Sequence, residues 1–301
     1  MHGIVTGGAG FLGSHVADIL ARAGHEITVM DQSPTQRHRS VQVDLRDAEA
    51  LVGALEGAQF VCHLAAVGDV YLAGDQPALA ADINVVATAR LCDAMLKAGV
   101  ERLVYASTWE VYGEPQYQPI DERHPTLPEH PYSITKLAGE QLALAYHRIR
   151  SLHVSALRLG TAYGTRMRPN SVFSLFVDRA LRQQAITIQG TGEQGRQFTH
   201  ARDIGAAFGA ALERAEAGAI YNIVGDRMVS VRELAEQIVR IIPTKIEFAP
   251  ARKAEVPPAL VSSERARKDL KWSPAVSFEE GLRELVAERK GMAAVTAAPR
   301  G

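Results

Sequence analysis

The 301-residue chain is poor in cysteine and has no excess of charge of either sign. Its two cysteines, Cys62 and Cys92, exclude a disulfide framework and favour a reducing compartment. The 33 lysines and arginines are balanced by 34 aspartates and glutamates, which leaves a formal net charge of -1. A dedicated nucleic-acid binder needs a basic surface to neutralise phosphates, so this composition disfavours that class.

Long hydrophobic runs and metal-ligand patterns are also missing from the sequence. The longest apolar-rich segment, 78–98, is interrupted by aspartate, arginine and lysine residues, so it cannot span a bilayer. The first residues contain no basic segment followed by an apolar one, and we expect no signal peptide. The histidines and cysteines lack the spacing of a metal site. These absences predict a cytoplasmic protein with no metal and no membrane partner.

Short strands alternate with longer helices through the first half of the chain. The strands are apolar throughout rather than alternating, which is typical of a parallel sheet covered by helices on both faces. This pattern predicts a doubly wound α/β domain over residues 1–165. The predicted strands lie at 3–6, 26–30, 41–43, 59–64, 102–106 and 153–159, and the predicted helices at 11–23, 78–98 and 131–149.

The pattern after residue 165 is less regular and predicts a smaller, mixed α/β C-terminal lobe over 166–290 that binds substrate. A strand near 219–224 is expected to return to the first domain. The tail 291–301 has no periodicity and is predicted to be disordered. The other predicted elements are helices at 171–182, 202–215, 231–241 and 278–290, strands at 186–188 and 245–248, and a proline-rich loop at 255–258.

A glycine-rich turn, Thr6-Gly7-Gly8-Ala9-Gly10-Phe11-Leu12-Gly13, joins the first strand to the first helix. Glycine lets the backbone approach a pyrophosphate closely at a helix N-terminus, although a lone motif of this kind is often an ordinary tight turn. Asp31 ends the next strand, where its carboxylate suits the ribose hydroxyls of adenosine and repels a 2′-phosphate. This context predicts a Rossmann-type site for NAD rather than NADP. Arg37 and Arg39 leave NADP open.

Tyr132 and Lys136 stand at the start of the predicted helix 131–149. Their i, i+4 spacing places the phenol and the ammonium on one helical face. A neighbouring cation favours the phenolate, which brings a group with an ordinary pKa of about 10 toward a usable base at neutral pH. Such a pair is often only a surface contact. Behind a nucleotide-binding turn, and near the hydroxyl-bearing segment 106–113, it indicates acid–base catalysis.

These motifs together resemble the extended short-chain dehydrogenase/reductases that modify nucleotide sugars. The resemblance covers about residues 1–290, and its motifs are weak singly but specific in combination. Besides the glycine turn and Asp31, it rests on Asp44-Leu45-Arg46-Asp47, His63-Leu64-Ala65-Ala66, Asn84-Val85, Thr108 with Val111-Tyr112-Gly113, Tyr132 with Lys136, Arg158 with Tyr163-Gly164, and Gly192-Glu193-Gln194 leading to Arg196, Phe198 and Asp203.

The resemblance implies a catalytic mechanism and a cofactor path. Tyr132 would be the base on the C4 hydroxyl of the sugar, Lys136 would hold the nicotinamide ribose and lower the phenol pKa, and Thr108 would hydrogen-bond the same sugar oxygen. The C4 hydrogen would pass to NAD as hydride, which leaves a 4-keto sugar. The implied cofactor-binding residues, besides Tyr132 and Lys136, are Gly7, Gly10, Phe11, Leu12, Gly13, Asp31, Asp44, Leu45, Leu64, Ala65, Ala66 and Asn84.

The same resemblance implies a nucleotide-diphosphate sugar as substrate, with a UDP-sugar favoured. Arg196 and Arg252 would clamp its pyrophosphate, because guanidinium groups bind phosphate oxygens bidentately. Thr161 stands where the family has a substrate-contacting asparagine, which points to a modified sugar pocket. The implied substrate-binding residues are Thr108, Thr161, Asn170, Arg196 and Arg252.

Glu110 and Trp109 bear on which reaction follows oxidation. Glu110 lies two residues after Thr108, and in the dehydratases and uronate decarboxylases that this segment resembles, a glutamate here acts at C5 or assists carboxylate loss; a structural role is the equal alternative. Trp109 replaces the aspartate that protonates the leaving hydroxyl in hexose 4,6-dehydratases, and an indole cannot do so. We therefore favour a UDP-sugar 4-epimerase. The alternatives are a 4,6-dehydratase, a UDP-glucuronate decarboxylase and a non-catalytic NAD-binding regulatory protein.

Two predicted helices, 78–98 and 131–149, carry apolar residues around more than one face. A surface helix that packs against one core needs only a single apolar stripe. The excess predicts a homodimer in which these two helices of each chain form a two-fold contact, as the family resemblance also implies. Coverage of the same surface by the second lobe or the tail is the alternative.

Overall fold

A seven-stranded parallel sheet forms the centre of the molecule. We describe a computed structural model, which covers residues 1–251 and 259–297. The strands are β1 (His2–Thr6), β2 (Glu26–Asp31), β3 (Arg39–Gln42), β4 (Phe60–His63), β5 (Arg102–Thr108), β6 (His153–Leu159), β7 (Thr161–Tyr163), β8 (Ile186–Gln189), β9 (Gly195–Arg196), β10 (Phe198–His200), β11 (Ile220–Ile223), β12 (Val229–Ser230) and β13 (Ile246–Ala249). The order of strands in the central sheet is β11-β6-β5-β4-β1-β2-β3.

Helices cover both faces of this sheet. Within the described residues, no helix is both long enough and apolar enough to cross a membrane. A 3₁₀ turn spans Trp109–Tyr112, and π-helical turns span Asp82–Val86 and Ala266–Leu270. The helices are α1 (Phe11–Arg22), α2 (Ala48–Leu55), α3 (Val70–Asp75), α4 (Pro77–Ala81), α5 (Ala87–Ala98), α6 (Pro131–Arg150), α7 (Val172–Leu181), α8 (Ala201–Arg214), α9 (Val231–Ile241) and α10 (Phe278–Ala297).

Side chains of the apolar strands pack into two separate cores, one on each face of the sheet. Ile4 of β1 packs on the side of α2, α5 and α6, whereas its neighbour Val5 packs on the side of α1 and α8. Successive side chains of a strand point to opposite faces, so a sheet buried on both faces needs apolar residues at every position. This arrangement confirms the predicted doubly wound α/β fold.

The second lobe is built from short strand pairs and helices rather than from one sheet. β13 runs parallel to β8, and β12 runs antiparallel to β9. Tyr163, Phe173, Phe198 and Phe278 pack their rings together at the centre of this lobe. β11 pairs with β6 in the central sheet, so the chain returns to the first domain after α8.

Two predicted segments differ from the structure. The predicted helix 78–98 is divided into α4, the π-helical turn Asp82–Val86 and α5. The π-helical turn directs Asn84 inward, where its side chain bonds to Val67 and Thr135. The last helix continues to Ala297, so residues 291–297 are helical, whereas the sequence predicted disorder there. Alanine is frequent in this segment and is the best helix former. The predicted proline-rich loop 255–258 lies outside the described residues.

Candidate active site

The carboxyl ends of five parallel strands open into one cavity of about 780 Å³. Gly7 follows β1, Asp31 ends β2, Leu64 follows β4, Thr108 ends β5 and Gly160 follows β6. Open α/β sheets bind ligands at this edge. The predicted site residues that line the cavity are Gly7, Gly10, Phe11, Leu12, Gly13, Asp31, Leu45, Leu64, Ala65, Ala66, Thr108, Glu110, Tyr132, Lys136 and Thr161.

The glycine turn has the geometry of a pyrophosphate cradle. Gly7 has a φ of +68°, and a Cβ on Gly13 would lie 2.1 Å from the Gly7 carbonyl oxygen, so neither position admits a side chain. Helix α1 begins after Gly10 with no side-chain cap and no acidic residue in its first turn. The free N–H groups and the positive end of the helix dipole therefore face the cavity, where they suit phosphate oxygens. These residues fit a dinucleotide.

Asp31 faces the glycine turn from the end of β2. Its carboxylate oxygens accept hydrogen bonds from the backbone N–H groups of Ala9 at 3.1 Å and Ser33 at 3.0 Å, and each oxygen keeps capacity for a ribose hydroxyl. The arginines that left NADP open are both paired elsewhere. Arg37 contacts Asp18 at 2.7 Å, and Arg39 lies 3.7 Å from Glu26.

The start of α6 presents Tyr132 and Lys136 to the cavity. His130 caps the helix by accepting the backbone N–H of Tyr132 at 3.2 Å, and Pro131 occupies the first helical position. Tyr132 and Thr108 line the same part of the chain's cavity, and Thr108 lowers the pKa of the Tyr132 phenol. Lys136 is buried, with its ammonium nitrogen 4.4 Å from the centre of the Tyr105 ring. The structure therefore brings the three predicted catalytic groups together.

Burial dominates the ionisation of this pair. It lowers the pKa of Lys136 to about 7, and the negative charge of Glu140 acts in the opposite direction. Burial also raises the pKa of the Tyr132 phenol, and the charge of Glu110 adds to that effect. The hydroxyl of Thr108 and the cation of Arg168 favour the phenolate.

Glu110 lines the cavity from the 3₁₀ turn that follows β5. Its backbone N–H donates to the Thr108 hydroxyl at 3.3 Å, which orders this turn. Burial raises the pKa of the Glu110 carboxyl, and the cation of Arg196 opposes the shift. Arg196, predicted to bind the substrate pyrophosphate, therefore interacts electrostatically with Glu110 across the two lobes.

Several predicted ligand-binding residues do not line the cavity. Asp44 faces outward and binds Arg46 at 2.6 Å, because its neighbours on either side take the inward positions. Asn84 is buried behind the cavity, where its amide bonds to Val67 and Thr135. Also outside the lining are the exposed Asn170 and the partly buried Arg196. Arg252 lies outside the described residues.

An inter-lobe contact at the cavity was not predicted. Arg168, in the loop before α7, donates to Asp69 at 2.8 Å and to the Gly68 carbonyl at 2.9 Å. Arg168, Gly68, Asp69 and Trp109 all line the cavity. Two arginines soon after β7, at 166 and 168, were the available signal, but the partners of Arg168 lie 99 and 100 positions away in the sequence.

Comparison with known proteins gives the family. The profile of the NAD dependent epimerase/dehydratase family matches residues 4–224, and the chain belongs to this family. A UDP-glucose 4-epimerase of Mycolicibacterium smegmatis is 32% identical over 308 residues, covering 95% of this chain and 97% of its own.

Two solved structures extend the comparison. A UDP-glucose 4-epimerase of Thermotoga maritima with UDP-glucose superposes with a TM-score of 0.91 at 29% identity, covering 97% of this chain and 100% of its own. A dTDP-glucose 4,6-dehydratase of Streptomyces venezuelae with NAD bound gives 0.90 at 28% identity and covers 98% of both chains. The protein is thus an NAD-dependent enzyme of the nucleotide-sugar epimerase/dehydratase class.

Cofactor preference tests the role of Asp31. We expect NADP to bind at least about tenfold more weakly than NAD, because a like-charge contact near a protein surface costs about 1 to 4 kcal/mol. Asp31→Ser should narrow the difference, whereas Asp75→Ser, an exposed aspartate, should leave it unchanged. Calorimetric titration of both dinucleotides measures this. Equal affinities in the unaltered protein would contradict the assignment of Asp31.

Proposed function

We propose that the protein is a UDP-sugar 4-epimerase. The observation that carries the proposal is the group Tyr132, Thr108 and Lys136 at one cavity, with the indole of Trp109 beside it instead of an acid. The reaction requires removal of the C4 hydrogen, rotation of the 4-keto sugar and return of the hydrogen to its other face. It needs no proton donor for a leaving hydroxyl, so Trp109 is compatible with it.

Proton transfer falls to Tyr132. Its phenolate takes the proton of the C4 hydroxyl as the C4–H bond breaks and the C4 carbonyl forms, and it returns that proton in the second half-reaction. Bound NAD supplies the acceptor and then the donor of the C4 hydride. Thr108 holds the reacting oxygen, and the charged form of Lys136 favours the phenolate.

Substrate binding uses the second lobe. The path from the glycine turn to Tyr132 takes up the cofactor, and the cavity wall from Thr161 to Ser171 is left for the nucleotide sugar. Arg168 places a cation at this wall. We propose UDP as the nucleotide, in line with the UDP-glucose 4-epimerases among the relatives.

Glu110 favours a second candidate, a nucleotide-sugar 4,6-dehydratase or UDP-glucuronate decarboxylase. It lines the same cavity as Tyr132, and burial raises the pKa of its carboxyl. A carboxylate with a raised pKa is suited to proton transfer at C5 or to assisting carboxylate loss. Two features weigh toward the epimerase. Trp109 leaves the acid of the dehydratase pair missing, and the charge of Arg196 interacts with Glu110 and opposes the rise in its pKa.

We further propose the homodimer through α4–α5 and α6. Much of the apolar surface expected from the sequence is in the core, including Leu91, Met95 and Leu144. What is left exposed still lies on both helices: the exposed fractions are 44% for Val86, 38% for Leu96, 46% for Ile134 and 71% for Ile149. A two-fold partner would bury these side chains.

Replacement of Tyr132 tests the assignment of the base. Tyr132→Phe should lower kcat for C4 epimerisation by about 10²-fold or more, because it removes the group that moves the proton. NAD affinity should hardly change, since the hydroxyl is lost without loss of packing. The exposed Tyr71→Phe is the matched control. A Tyr132→Phe rate within about threefold of the unaltered protein would show that Tyr132 is not the base.

Replacement of Glu110 separates the candidate reactions. An epimerase should tolerate Glu110→Gln with a loss of less than about tenfold, because nothing at C5 is deprotonated. A dehydratase or decarboxylase should lose most of its turnover and still oxidise C4. Products are read by mass and NMR, with the exposed Glu114→Gln as control. A larger loss of clean C4 inversion would contradict the proposed role of Glu110.

Light scattering at micromolar concentration tests the dimer. We expect a mass near twice the 32.6 kDa of one chain. Val86→Arg should shift the protein toward the monomer, because it places a charge in the apolar contact. Leu175→Arg, at an exposed position of α7, should not. A single-chain mass that persists on concentrating would rule the dimer out.

A further inference from the structure

Behind the cavity, a buried network joins α6 to two strands of the central sheet. Arg158 of β6 donates to Glu140 of α6 through Nη2 at 2.6 Å and through Nε at 3.1 Å. Ser107 of β5 donates to the same carboxylate at 2.6 Å. The exposed fractions of the side chains are 3% for Arg158 and 0% for Glu140. Two strands and a helix are therefore fixed to one carboxylate.

The network lies next to the proposed catalytic residues on both β5 and α6. Ser107 immediately precedes Thr108, and it is paired in register with Arg158 on the neighbouring strand. Glu140 lies one helical turn after Lys136 and two turns after Tyr132 on α6. The Glu140 carboxylate therefore ties α6 to the end of β5, and both elements contribute to the cavity through Tyr132 and Thr108.

Stability alone does not account for this network. Replacing a buried ion pair with apolar residues of similar size is often neutral or stabilising, because desolvation of the two charges offsets their attraction. The alternative is that the negative charge is needed where it lies. Lys136 is the neighbouring group that requires it, because its ammonium is also buried.

The surroundings of Lys136 identify Glu140 as the charge that sustains it. His63 is neutral near pH 7, because burial and Lys136 lower its pKa to about 3. Tyr105 is neutral as well, because burial raises its pKa. Glu140 is the carboxylate that raises the pKa of Lys136 against the effect of burial. The titratable and charged groups facing this region are Tyr132 and Glu140 of α6, Tyr105 of β5, His63 of β4, Arg158 of β6 and Glu110 of the 3₁₀ turn.

We propose that Glu140, held by Arg158 and Ser107, is a positioning residue that keeps Lys136 in its charged form beside Tyr132. The proposal rests on the proposed roles of Tyr132 and Lys136. Glu140 touches neither substrate nor cofactor, and it acts through the lysine. Arg158 and Ser107 hold its carboxylate in place, so that its charge is fixed one turn from the ammonium.

Titration of Lys136 tests this directly and needs no substrate. The protein is labelled with ¹³C at lysine Cε, and the resonance of Lys136 is assigned by its loss in Lys136→Met. In Glu140→Gln we expect the pKa of Lys136 to fall by at least about one pH unit, the usual effect of losing an opposite charge nearby. The exposed Glu236→Gln of α9 is the control and should leave it unchanged. An unchanged Lys136 titration in folded Glu140→Gln overturns the proposal.

A second variant covers a failure of Glu140→Gln to fold. That change leaves the buried Arg158 cation unpaired, which is strongly destabilising. The double variant Glu140→Gln with Arg158→Met removes both charges and leaves an unbranched apolar side chain in place of the guanidinium. Its Lys136 pKa should also fall, because Glu140 is the charge that raises it. A Lys136 titration equal to that of the unaltered protein overturns the proposal here as well.

Turnover separates positioning from general damage. In Glu140→Gln, kcat should fall while KM and NAD affinity are retained, and the fall should deepen from pH 6 to pH 8 toward about tenfold per unit of lowered Lys136 pKa. A purely structural defect would lower kcat by the same factor at each pH, and that result contradicts the proposal. An unaltered protein that converts no nucleotide sugar would instead contradict the proposed function, and the lysine titration would still decide the role of Glu140.

Discussion

Lys136 carries its amine into the interior at the junction of α6 and β5. A buried ammonium is unfavourable, and burial lowers the pKa of Lys136 to about 7. The amine is therefore close to losing its charge at neutral pH. The Tyr105 ring lies 4.4 Å from the ammonium, and Glu140 supplies the opposing charge one helical turn away. The sheet positions α6 so that the same helix brings Tyr132 to the cavity that Thr108 lines. The rest of the site depends on this helix being fixed.

A chain of buried hydrogen bonds links the glycine turn to that helix. The Thr6 hydroxyl lies 2.7 Å from one ring nitrogen of His63, and the other ring nitrogen lies 3.2 Å from the Thr88 hydroxyl. Thr88 donates to the Asn84 carbonyl at 2.8 Å, and the Asn84 amide donates to Thr135 at 3.0 Å. Thr135 stands between Tyr132 and Lys136. The glycine turn and the start of α6 are thus connected through buried side chains.

Local motifs account for the part of the site that could be predicted. Short sequence patterns are enough to recognise the glycine turn, Asp31 at the end of a strand and the Tyr132–Lys136 spacing. The carboxyl ends of parallel strands then necessarily meet at one edge of the sheet. The fold could be predicted from the apolar strands, because a strand buried on both faces shows no alternation of polar and apolar residues.

Partners distant in the sequence account for what could not be predicted. Asn84 matches a family motif, but a π-helical turn directs its amide into the core and away from the cavity. Arg168 reaches Asp69 only because the second lobe folds over the first. Asp44 forms an ion pair with its neighbour Arg46, and this pair competes with binding of a ligand by the Asp44 carboxylate. Motif matching locates such residues near a site without giving the direction of their side chains.

The central claim is that this cavity interconverts the C4 configuration of a nucleotide sugar. The most direct measurement incubates the NAD-bound protein with a panel of UDP-, dTDP-, GDP- and CDP-sugars and reads the products by mass and NMR. We predict a UDP-sugar product of unchanged mass with inverted C4. A product that has lost water or carbon dioxide, or recovery of every sugar unaltered, would contradict the account.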